Sequence, residues 1–164
     1  MSDSKENAVA TAGQRVLVTG ATGFLGQHLC AALVAAGFDV VALCRTPESS
    51  AARLLPPQVQ RLQGDVLDVD AVASAALGCV GMFHCAGQVS RDPEDALDMM
   101  RVNFEGTKVA MSAAKTANVK RVVLASTSGT IAISETDDEV ADETLERPLE
   151  LINRWSYYRS KLYA

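Results

Sequence analysis

Aromatic side chains are scarce in this 164-residue chain, at 5% of the total. The core must therefore be built mainly from Ala, Val and Leu. Histidine is scarcer still, with only His28 and His84. The four cysteines (Cys30, Cys44, Cys79 and Cys85) include no CxxC pair. Too few clustered ligands argue against a zinc site, and reduced thiols of a cytoplasmic protein are the expectation. No apolar run approaches the ~20 residues of a membrane-spanning helix. The opening residues, MSDSKENAVATAG, are polar where a secretory signal would be apolar. A membrane-spanning protein and a disulfide-built secreted miniprotein are both excluded.

A basic stripe is missing too. The net charge is −5, and it is unevenly spread. Between Ser134 and Glu150 lie eight acids and a single base, Arg147. The rest of the chain is therefore close to neutral and lacks the cationic face that nucleic-acid binding needs. A solvated surface loop is the expected reading of the acidic run.

What remains is one ordinary globular domain by length, with 48% apolar and 21% charged residues. A tail over residues 1–13 precedes a folded region over 14–164. Arg15–Thr19 reads as a buried strand stopped by Gly20. A helical period follows from Phe24 to Ala36, with Leu25, Leu29, Leu33 and Ala36 on one face and Gly37 at the end. Asp39–Cys44 is nearly continuous in apolar residues, as in a parallel strand covered on both sides. Weaker strand signals lie at Val59–Gln63, Val80–His84 and Val122–Ser126. Asp68 caps a helix through Leu77. Asp92-Pro93-Glu94 starts another that runs to about Ala117, and a last helix covers Trp155–Ala164. This alternation predicts an α/β fold: a doubly wound parallel sheet in the order 3-2-1-4-5, with ligand sites at the strands' C-terminal ends.

The first strand runs into Thr19-Gly20-Ala21-Thr22-Gly23-Phe24-Leu25-Gly26. Glycines at 20, 23 and 26 permit a tight turn, close backbone approach to a pyrophosphate, and close helix–strand packing. The phosphates would rest on amides at the start of the next helix. A merely structural glycine turn is the alternative. Tyr157 and Lys161 stand four apart and so share a helix face. An ammonium beside a phenol favours the phenolate and suits it to proton transfer at neutral pH. Tyr158 points about 100° away and reads as packing or surface. Asp65 could simply close a turn, and His84 could be a satisfied core histidine. Asn103 is unusual inside a helix, since its amide prefers caps.

Together TGATGFLG, Gly64-Asp65-Val66, His84-Cys85-Ala86-Gly87, Val102-Asn103-Phe104-Glu105-Gly106-Thr107 and YYRSKLYA resemble the extended short-chain dehydrogenase/reductase family. The stretches Arg91-Asp92-Pro93-Glu94 and Ala141-Asp142-Glu143-Thr144 are similar to its dihydroflavonol-reductase-like branch, which includes hopanoid-associated sugar-epimerase-like members. The resemblance implies a Rossmann-type domain that stops inside the catalytic helix, before a C-terminal substrate domain, in a protein about twice as long.

It also implies roles. Gly20, Thr22, Gly23, Phe24, Leu25 and Gly26 would hold the cofactor's phosphates, and Asp65 and Val66 its adenine. Cys85, Ala86 and Gly87 would pass beneath it, with Asn103 and Ser126 facing it. Tyr157 would move the proton, Lys161 would hold the ribose and tune Tyr157, and Thr127 would orient the substrate oxygen. Ser126 and Ser128 compete with Thr127 for that last role, or serve only to satisfy strand-end backbone groups. Cys44 stands where an acid would select NAD, and Arg45 follows it. Arg45 can pair with a 2′-phosphate, so NADP is favoured over NAD, a solvent-facing arginine being the alternative.

The implied activity is reduction of a ketone or aldehyde, or oxidation of the alcohol, by hydride transfer. A sugar-nucleotide epimerase or dehydratase using NAD is the second reading, and a non-catalytic dinucleotide sensor the third. The partner is a small-molecule substrate. A homodimer would form through the long helix after strand four and the YxxxK helix, with Met99, Met100, Val109 and Met111 supplying an apolar face, although burial against the sheet would use similar residues.

Overall fold

The computed structural model describes residues 13–131, 133, 142, 144 and 149–164. Five strands, β1 (Arg15–Thr19), β2 (Asp39–Cys44), β3 (Gln60–Gln63), β4 (Gly81–His84) and β5 (Arg121–Leu124), form one sheet in the order β3-β2-β1-β4-β5. Every pairing is parallel, as the strand–helix alternation predicts. The central strand β1 is flanked by β2 and β4, and its residues Val16, Leu17, Val18 and Thr19 are buried. β3 and β5 are four-residue edge strands, β3 exposed at three of its four positions and β5 at alternate ones, which explains their weaker apolar signal.

Each face of the sheet carries its own core. On one side, α1 (Phe24–Ala35) and the short α2 (Ser50–Arg53) cover Val16, Val18, Val40 and Ala42. On the other, α3 (Val69–Ala76) and α5 (Gly106–Thr116) cover Leu17, Val41, Leu43 and Met82. Ala75, Ala76, Ala110, Ala113 and Ala114 let those two helices lie close to the strands. α3 begins at Asp68, whose carboxylate accepts from the amides of Asp70 and Ala71, the expected N-cap.

Three expectations need correction. The buried face of α1 is Gly26, Cys30 and Leu33, with Leu29 half-buried, whereas Leu25 is exposed. The helix is turned because Gly26 must lie against the turn before it. The helix from Asp92 is not continuous. It opens as a 3-10 turn at Pro93–Asp95, becomes α4 (Ala96–Met100), loosens into a π-helical turn at Arg101–Glu105, and resumes as α5. Met99 is wholly buried and Val109 packs against the second core, so these two of the four residues expected to supply a dimer face are used inside the chain, whereas Met111 is exposed.

Gly13 belongs to the fold, donating its N–H to Gly37 O at 2.7 Å. Residues 1–12 of the tail expected over 1–13, and most of the acidic run, lie outside the described residues. A six-residue helix, α6 (Leu149–Arg154), precedes α7 (Ser156–Tyr163), where the last helix was expected. Among the described residues no helix is long and apolar enough to cross a membrane.

Candidate functional site: a cleft at the strand ends

The turn after β1 is shaped by contacts that exclude side chains. Gly20 takes φ +68°, and a Cβ on it would lie 2.5 Å from the amide nitrogen of Ala86. A Cβ on Gly26 would lie 2.2 Å from Gly20 O. Gly23 N–H donates to Gly20 O, and the Gln27 side-chain amide donates to Thr22 O at 2.8 Å. α1 starts at Phe24 with no side-chain cap, which leaves its first amides for a ligand. Phe24 and Leu25 turn their side chains outward.

A cleft of about 700 Å³ opens beside this turn. Its walls include Gly20, Thr22 and Gly23, then Arg45 beyond β2, Asp65 and Val66 beyond β3, and Cys85, Ala86 and Gly87 beyond β4. Four strand ends thus bring together residues that the sequence singled out separately. Cys44 is buried in the first core, and Arg45 is exposed at the cleft. Asp65 serves two roles: it accepts from Leu67 N–H at 2.9 Å, closing its turn, and it lines the cleft. Leu43, Gly64, Leu67, Gln88, Val89, Asp98, Arg101 and Val102 complete the wall. Of these, Gly64 and Val102 lie within the Gly64-Asp65-Val66 and Val102–Thr107 motifs, and the others carry no motif that marks a cofactor contact.

His84 is a core histidine. Its Nδ1 lies 2.8 Å from Thr19 Oγ1, which also accepts from Ala86 N–H at 3.4 Å. Its Nε2 is buried with no partner among the described residues. Burial, reinforced by the Lys161 cation, pushes the imidazole down to about 4. All four thiols are free, and burial raises them, Cys30 to about 12. For Cys85 the Lys161 cation acts against that rise.

Asn103 is fully buried in the π-helical turn, and its amide bonds inside the protein instead of lining the cleft. It accepts from Gln88 N–H at 2.8 Å, and donates to Gln88 O at 2.9 Å and Ser160 Oγ at 2.8 Å. The extra residue of a π turn suits such a placement, because it frees one helical position from the regular ladder.

α7 packs against α4, the π turn and the turn after β5. Lys161 Nζ donates to Ala125 O at 3.0 Å and lies 3.2 Å from where a Cβ on Gly87 would be, so it stands against a residue of the cleft wall, while Lys161, Tyr157 and Thr127 do not themselves line the cleft. Burial holds this ammonium below its usual range, with Cys85 acting in the opposite sense. Tyr157 is half-buried one helical turn earlier. Tyr158 packs, as expected: its ring covers Gly129, where a Cβ would meet Cε1 at 2.3 Å. After β5, Thr130 Oγ1 donates to Thr127 O at 2.7 Å. The Ser126 hydroxyl, 3.3 Å away, therefore donates to Thr130 Oγ1. Thr127 is half-buried, between exposed Ser126 and Ser128.

These residues fit a dinucleotide. A glycine cradle without room for Cβ atoms, uncapped helix amides, a carboxylate at one end and a guanidinium beside it are what such a ligand requires. Comparison with known proteins agrees. The chain belongs to the NAD dependent epimerase/dehydratase family, which matches residues 16–164. Proteins of that family are NAD(P)-dependent oxidoreductases and epimerases.

Among its relatives, cinnamoyl-CoA reductase 1 of Oryza sativa subsp. japonica is 37% identical over 139 residues, 80% of this chain and 40% of that protein. Dihydroflavonol 4-reductase of Zea mays is 33% identical over 165 residues, 91% of this chain and 46% of that protein. A short-chain dehydrogenase/reductase superfamily protein from Agrobacterium tumefaciens, solved with bound NAD, superposes with TM-score 0.72 at 27% identity. That match covers 92% of this chain and 42% of the other. The chain spans less than half the length of these relatives.

Proposed function

We propose that the protein is an NADP-dependent oxidoreductase that reduces a ketone or aldehyde, or oxidises the corresponding alcohol. The observation that carries this reading is Lys161 standing against Gly87, a residue of the cleft wall, with its Nζ anchored on Ala125 O at 3.0 Å. A helix bearing a Tyr–Lys pair therefore packs beside Gly87, next to the cleft that the glycine turn borders. When bound, the nicotinamide supplies or accepts the hydride. The chain's own residues do the rest. Gly20, Gly23 and the first amides of α1 hold the phosphates, Asp65 meets the adenine, and Arg45 takes the 2′-phosphate. Lys161 holds the ribose, Tyr157 gives the proton to the substrate oxygen or removes it, and Thr127 orients that oxygen. Asn103 has its amide committed elsewhere and supports this site from behind.

The reductase relatives support reduction over epimerisation, and Cys44 in place of an acid, followed by Arg45 at the cleft, supports NADP. A cytoplasmic setting is part of the proposal, supported by four free thiols. So is a homodimer through α4, α5 and α7, whose exposed apolar side chains include Leu97, Met111 and Tyr163. A monomeric mass by light scattering at micromolar concentration would remove the dimer.

The test uses full-length purified protein, NADPH, and a panel of aldehydes, ketones and CoA thioesters. Substrate-dependent loss of the reduced-nicotinamide absorbance is expected. Absorbance from dinucleotide that co-purifies and stays bound through turnover would instead favour the epimerase or dehydratase reading. Tight binding without turnover of any compound would favour the sensor.

A further inference from the structure

The Asn103 amide and the Ser160 hydroxyl form a chain of bonds whose direction is fully determined. Gln88 N–H can only donate, so the Asn103 atom facing it at 2.8 Å is Oδ1. The opposite atom is then Nδ2, whose two protons go to Gln88 O and Ser160 Oγ. Tyr157 O can only accept, so the Ser160 proton goes there, at 2.7 Å. Both side chains are 0% exposed, where an unmet donor is costly. The chain joins Gln88 in the cleft wall to the backbone of the turn that carries Tyr157 and Lys161. Its far end returns to the same place. A Cβ on Gly87 would lie 3.1 Å from Asn103 Oδ1 and 3.2 Å from Lys161 Nζ.

We propose that Ser160 is a positioning residue: held between Asn103 Nδ2 and Tyr157 O, it sets where α7 stands, and so where Lys161 meets the cleft. Ala125 O restrains the ammonium end of Lys161, and Ser160 restrains the backbone end. Without Ser160 the helix keeps its Tyr–Lys pair but loses its fixed distance from Gly87 and Gln88. The inference rests on the dinucleotide reading above, in which Lys161 holds the ribose.

A double-mutant cycle on NADPH affinity in the full-length protein tests it, with circular dichroism to check that each variant folds. Ser160→Ala should weaken NADPH binding ~3- to 10-fold in the wild-type background, the scale of one hydrogen bond. In a Lys161→Met background the same change should alter affinity less than ~2-fold, because the group it positions is gone. Should Ser160→Ala fail to fold, Ser160→Cys, close in size and a weak acceptor, takes its place. Equal losses in both backgrounds, or no loss in either, would overturn the proposal. Absent NADPH binding in wild type, or unchanged binding in Lys161→Met, would bring down the cofactor reading first, and this inference with it.

Discussion

Gly26 lies so close to Gly20 that a methyl group on it would sit 2.2 Å from the Gly20 carbonyl oxygen. That oxygen also accepts from Gly23 N–H at 3.0 Å, so it cannot retreat without opening the turn. Gly26→Ala should therefore destabilise the fold by ~1–3 kcal/mol or more, the cost of overpacking against backbone. It should also reduce dinucleotide affinity, since the helix start moves. Urea unfolding of variant and wild type checks the first effect, and equal midpoints would contradict it.

His84 makes stability depend on pH in a stated direction. Its folded value of about 4 lies below the ordinary 6.5, because burial disfavours the imidazolium. The unfolded chain then takes up a proton between those values that the folded chain refuses. The contribution is complete above pH 6.5 and is lost as pH falls toward 4. Its size is on the order of 3 kcal/mol. Urea midpoints across that range should fall with acidity, and less steeply in His84→Gln. Parallel profiles would contradict the assignment.

Tyr158 and Gly129 form a second contact that admits no Cβ, with 2.3 Å to the ring. Here the obstacle is a side chain, so the ring or α7 must shift. Gly129→Ala should cost ~1–3 kcal/mol. The double variant Gly129→Ala/Tyr158→Ala should recover part of that loss relative to additivity, because the clash is removed. Strict additivity would place the Gly129 effect in its backbone alone.

The second strand's end carries the cofactor prediction. A guanidinium on a 2′-phosphate is worth ~1.5–3 kcal/mol as a charge-assisted contact. Arg45→Ala should then weaken NADPH by ~10- to 150-fold and leave NADH almost unchanged. Arg45→Asp should reverse the preference, offering the ribose hydroxyls an acceptor and repelling the phosphate. Paired titrations with both nucleotides decide it, and equal losses would mean that Arg45 acts through folding or general charge.

Legibility followed the range of the interaction. Strand order, the glycine turn and the Asp68 cap were readable because each is announced by neighbouring residues: apolar runs, glycine spacing, and an acid before a helix. Arg45, Asp65 and Cys85–Gly87 were readable because the ends of parallel strands converge whatever fills the loops. The face of α1 was misread because Leu25, Leu29 and Leu33 make a regular stripe. The close approach of Gly26 to Gly20 overrides that periodicity. The only local sign of the π turn is Asn103, unusual inside a helix; the partners its amide bonds there, Gln88 and Ser160, lie far away in sequence. Gly129 under Tyr158 is a contact of the same kind.

The most direct test measures NADPH binding and turnover together in full-length wild type and Tyr157→Phe, using any carbonyl compound that the panel yields. Removing one hydroxyl leaves in place the proposed phosphate, adenine and ribose contacts. The NADPH dissociation constant should stay within ~2-fold, and turnover should fall ~10²- to 10⁴-fold, the usual contribution of a positioned acid–base group. Turnover undiminished in Tyr157→Phe would contradict the account.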